Sequence, residues 1–176
     1  MAEIKSTLDL VMEKTKHLKM SETEKKALDL EETLKKVPGL VQKYISGALK
    51  DRDFREEVKK YVEIDPAAVK KEIVKELARA LTFKEKEEDL RVVDALKLLN
   101  LDDGDDILHE LKECLESFHT EQRELLEQKS KAYLKELENM GIRGSAVIPK
   151  VMLRQEEMSK LQALKATCLN LMDRLI

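Results

Sequence analysis

Residues 105–140 read DDILHELKECLESFHTEQRELLEQKSKAYLKELENM, without a glycine or a proline. A stretch this long with no breaker predicts a single helix, roughly 50 Å at about 1.5 Å per residue. Its trace is Leu111, Leu115, Phe118, Leu126, Tyr133, Leu137 and Met140, with Gln122 and Lys129 filling the gaps. The steps are 4, 3, 4, 4, 3, 4, 4 and 3, an eleven-residue repeat. That period belongs to a nearly straight helix rather than a strict heptad.

Gly141 to Pro149 (GIRGSAVIP) interrupts the pattern, with Gly141 placed as a helix C′ residue. Residues 150–176 predict a second long helix, in which Leu161, Leu164, Cys168, Leu171 and Leu175 keep a 3-4 spacing. Two long helices joined by a short glycine-containing turn predict an antiparallel hairpin. Folding about Ser145 sets Leu137 against Leu153, Leu126 against Leu164, and Leu115 against Leu175. That register puts Cys168 near Gln122, roughly 12 Å along the helix from Cys114 and too far for a bridge. Both cysteines then read as small apolar seam residues.

Charge agrees with the pairing. Residues 102–127 carry ten acidic and two basic side chains, and residues 128–176 carry nine basic and five acidic. An acidic segment facing a basic one favours association within the chain or between chains.

The first hundred residues predict an array of short helices. Ile4, Leu8, Val11 and Leu18 mark the first. Ser21 with Glu24 is a capping box opening a second, with Ala27, Leu30, Leu34 and Val37 inward and Pro38-Gly39 ending it. Leu40, Val41, Tyr44, Ile45, Ala48 and Leu49 predict a third. Asp51 caps a fourth with Phe54, Val58, Tyr61 and Val62 inward. Asp65-Pro66 starts the helix of Val69, Ile73, Leu77 and Leu81, and Thr82 with Glu85 repeats the capping-box pattern ahead of Leu90, Val93, Leu96 and Leu99. The acidic turn at 100–106 (NLDDGDD) fails as a calcium loop. With Gly104 at the sixth position, Leu99 and Leu101 fall where oxygen ligands are needed. It reads instead as a solvated turn before the long helix.

The fold expected is therefore all-α, a short-helix region over residues 1–101 followed by a coiled-coil-like hairpin over 102–176 with its tip at 141–149. Composition concurs: 39% of residues are charged, 3% aromatic, and there are five glycines and three prolines. Sheet proteins need more turn formers and more aromatic or β-branched runs. The net charge of −3 offers no general attraction to nucleic acid or anionic lipid. No run approaches a membrane span, and the N-terminus is charged too early for a signal peptide, so a cytoplasmic location is expected.

Catalytic signatures are absent. There is no GxSxG, Walker loop, dinucleotide fingerprint or HExxH. His109, Cys114 and His119 stand five apart on one helix and so point some 140° from one another, unable to share an ion. Glu116-x-x-His119 is half of a di-iron motif whose other ligands must come from other helices. No catalytic, cofactor or metal site is expected, and each histidine reads as solvated or edge-packed.

Within the hairpin tip, Gly144 to Pro149 stands out as an uncharged, largely apolar run in a charged chain, with basic neighbours on either side. Gly141, Ile142, Arg143, Gly144, Val147, Ile148, Lys150, Val151 and Arg154 form the candidate partner-binding tip, the plain alternative being a packed cap. The function expected is that of a non-enzymatic interaction or scaffold module, a homo-oligomer engaging protein partners through its hairpin. The alternative is an RNA- or ribosome-associated factor using the basic tip and C-terminal helix, against which the overall negative charge argues. A helical enzyme with a carboxylate site comes third.

Overall fold

A computed structural model describes residues 21–100, 104–142, 144 and 149–175. The described residues are all-α, with six helices and no strand. These are α1 (Glu22–Ile45), α2 (Asp51–Val62), α3 (Pro66–Ala80), α4 (Lys86–Leu98), α5 (Asp105–Asn139) and α6 (Gln155–Asp173). The helix expected around Ile4 to Leu18 lies outside the described residues.

The Ser21 capping box opens α1: the Glu24 N–H donates to Ser21 Oγ at 3.2 Å, and the Ser21 N–H donates to Glu24 Oε2 at 2.8 Å. The expected break at Pro38-Gly39 does not occur, and α1 runs through both residues. Pro38 and Gly39 face solvent, while Val37, Leu40, Val41, Tyr44 and Ile45 are buried on the other side. Proline in a helix interior costs about 3 kcal/mol. Each large apolar side chain buried on that continuous face returns about 1.5–3 kcal/mol, so packing decides. The helix stops at Ile45, short of the expected Leu49; Gly47 adopts φ +77° as the residue after the cap, and Ala48 is exposed.

Asp51 does not cap α2. It is the first helical residue, and its Oδ1 accepts a 3.0 Å hydrogen bond from the Tyr44 hydroxyl. Asp65 caps α3 as expected, accepting from the Ala68 N–H at 3.0 Å with Pro66 at the first helical position. The Thr82–Glu85 capping box does not form. Glu85 precedes α4 with no side-chain cap, and the Thr82 and Phe83 N–H groups are taken by the Asp89 carboxylate.

One continuous core joins the four N-terminal helices to the base of the hairpin. Phe54, Ile73, Leu77, Leu96, Leu111, Leu115 and Met172 are its largest fully buried members. Helix α4 packs on α5, and α5 packs on α6.

The two arms of the hairpin are unequal: α5 has 35 residues and α6 has 19, about 52 Å against about 28 Å. Residues 149–154 are not helical, so α6 begins later than expected. The register also differs. Arg174 pairs with Glu110, Lys129 with Glu157, and Cys114 Sγ lies 3.5 Å from the Leu164 carbonyl. These contacts centre the fold near Gly141 instead of Ser145. The non-helical return segment spans more length per residue than a helix, and this displaces α6 along α5.

Candidate functional site

The shifted register brings the two cysteines together. The Leu164 carbonyl that Cys114 touches is the one to which the Cys168 N–H bonds in a regular helix. Cys114 is half-buried and Cys168 fully buried, both as free thiols, and Cys114 meets α6 one helical turn from Cys168. The expected 12 Å separation does not hold.

At the tip, Gly141 has φ +82° and ends α5, with the Ile142 N–H donating to the Leu137 carbonyl at 2.9 Å. Gly144, Lys150 and Arg154 are exposed and Val151 is half-buried. Arg143, Val147 and Ile148 lie outside the described residues. Around the tip, large apolar side chains are open to solvent: Met140 is 75% exposed, Met152 70% and Ile142 47%. Tyr133 and Met158 are exposed as well. Tyr133 and Met140, seven residues apart, share one face of α5. From Thr120 to Lys160 none of the described residues is buried, so no described element forms a third layer over the outer hairpin.

A polar clamp fastens the return segment to α5. Lys129 Nζ donates to the Met152 carbonyl at 3.0 Å and to Glu157 Oε2 at 2.5 Å. Glu157 Oε2 also accepts from the Arg154 N–H at 2.6 Å. The Lys129 ammonium and then the Arg154 N–H hold the Glu157 carboxyl below the usual carboxylate range. Lys129 is thus not a gap in an apolar seam but the fastening of the hairpin.

A second constellation lies at the hairpin base. His119 is buried, at 7% exposure, with Nε2 2.8 Å from Asp89 Oδ2. Asp89 is wholly buried, and its Oδ1 accepts from the Thr82 N–H at 3.1 Å and the Phe83 N–H at 3.3 Å. Phe83 is held at φ +59°, a conformation unfavourable for an aromatic residue. Its ring packs edge-on against Phe118, and Lys165 Nζ sits 4.8 Å above it. A solvated or edge-packed His119 is therefore incorrect. Its partner is on α4, thirty residues away in sequence, where no local pattern reaches it.

The three residues spaced five apart diverge. His109 is exposed beside Glu113, Cys114 faces α6, and His119 faces α4. Among the described residues no three His, Cys, Asp or Glu side chains gather as metal ligands.

The geometry defines an all-α protein carrying an asymmetric helical hairpin on a bundle of short helices. No family model, curated protein or solved structure matches this chain. No helix among the described residues is long and apolar enough to cross a membrane.

Proposed function

We propose that the chain is a helical interaction module that associates with a second copy of itself through the outer half of its hairpin. The observation that carries this is the exposure of Tyr133, Met140, Ile142, Met152 and Met158 on two arms that no other described element covers. Exposed apolar groups that cluster mark association surfaces, and methionine adapts well to a partner.

Charge complementarity favours a second copy as the occupant. Glu113, Glu116, Glu121 and Glu124 line an acidic groove on the inner half of α5. Lys131, Lys135, Lys150 and Arg154 are exposed on the outer half. Antiparallel apposition of two hairpins sets these cations, which share the outer half with exposed Glu136, Glu138 and Glu156, against the acidic groove of the other copy.

Multi-angle light scattering tests this with the Met152→Asp/Met158→Asp double variant, whose changes fall outside the core. Wild type should give twice the chain mass, and the variant one chain mass with unchanged helicity. The same exposed cations favour an RNA backbone as a second reading. RNA binding that weakens steeply with salt, by a chain that stays single, is the outcome that selects it.

A further inference from the structure

The α3–α4 turn, the first turn of α4 and the middle of α5 line an open cleft of about 550 Å³. We propose that this cleft is a binding site for a small phosphate monoester, recognised by His119 together with Lys84, Lys86 and Arg123.

Asp89 fixes the imidazole. Its Oδ2 holds Nε2, while Oδ1 is occupied by the Thr82 and Phe83 N–H groups. A ring flip would leave Asp89 Oδ2 without this partner, so the ring orientation is set. No protein group among the described residues pairs with Nδ1, and no buried side-chain nitrogen or oxygen there lacks a partner. The described residues therefore do not seal Nδ1 from solvent, and His119 lines this cleft. A histidine more than nine-tenths buried thus stands at the wall of a water-accessible space.

The electrostatics specify an anion. Lys84, Lys86 and Arg123 line the same cleft, and none of them forms an ion pair among the described residues. Its one carboxylate, Glu127, lies 4.0 Å from Lys131. A tetrahedral oxyanion can meet several cations at once and share a proton with Nδ1, whichever partner carries it. The cleft is larger than a bare phosphate, and Leu126 supplies apolar lining for an esterified carbon group.

The test is a titration of the full chain with inorganic phosphate and, separately, glycerol 3-phosphate at constant ionic strength. The signal is the His119 imidazole resonance, with exposed His109 as internal reference. A saturable shift of His119 alone is expected with either probe, with the ester binding about tenfold more tightly than phosphate. Equal affinities would retain the anion site but assign it to free phosphate, overturning the ester. Lys86→Gln/Arg123→Gln, which leaves the core intact, should weaken binding at least about tenfold with unchanged helicity. Absence of a saturable shift up to the order of 10 mM of either probe overturns the proposal, as does undiminished binding by the double variant.

Discussion

Asp89 accepts three hydrogen bonds from two directions, and the geometry of the hairpin base depends on it. Its carboxylate caps the strained turn at Phe83 and pins His119 on the neighbouring helix. Truncation to Ala leaves two backbone donors and an imidazole nitrogen without their acceptor. Such loss from a buried network costs about 3–5 kcal/mol. Urea denaturation of Asp89→Ala should show that loss, whereas a change under about 1 kcal/mol would mean the turn is held by packing. In the sequence Asp89 occupies the same stripe as Val92, Val93 and Leu96, and an acid among core positions is a legible oddity. Its partner was not legible, because a contact between helices leaves no mark on local spacing.

At the scale of elements, periodicity located the helices but punctuation misplaced some of their ends. The apolar phase Leu30, Leu34, Val37, Val41, Tyr44 continues through Pro38 without interruption, and that continuity outweighs the breaker. Gly39 faces open space with nothing within 4 Å of an added Cβ. Gly39→Ala should therefore stabilise the protein by about 0.5–1 kcal/mol, measured by thermal or urea unfolding. A destabilised variant would contradict the continuous α1.

The hairpin register failed for a different reason. Apolar pairs can be drawn at several offsets, and only the non-helical length of the return segment selects one. Mild oxidation should join Cys114 to Cys168 within one chain, detectable by mass spectrometry of the digested protein. Linkage only between chains would contradict the register. The clamp at Glu157 adds a pH dependence. Its carboxyl is held below the ordinary range, so its stabilisation is complete above the unfolded-state value of about 4.3 and is lost as pH falls through the lowered folded value. Hydrogen exchange at the Arg154 amide, corrected for intrinsic rate, should quicken on acidification through that window in wild type and not in Glu157→Gln.

At the scale of the whole molecule, the base of the hairpin is finished and the outer half is not. Buried side chains end at His119 on α5 and resume at Leu161 on α6, leaving exposed apolar residues beyond the shared core. Charge asymmetry and the uncharged tip were legible in the sequence; the unequal arms, which leave that surface uncovered, were not. Light scattering across a dilution series of the wild-type chain, alongside Met152→Asp/Met158→Asp, measures this most directly. The account predicts a wild-type mass of two chains that falls towards one on dilution, and a double variant of one chain mass at every concentration. A wild type of one chain mass throughout, or a variant that still pairs, would contradict it.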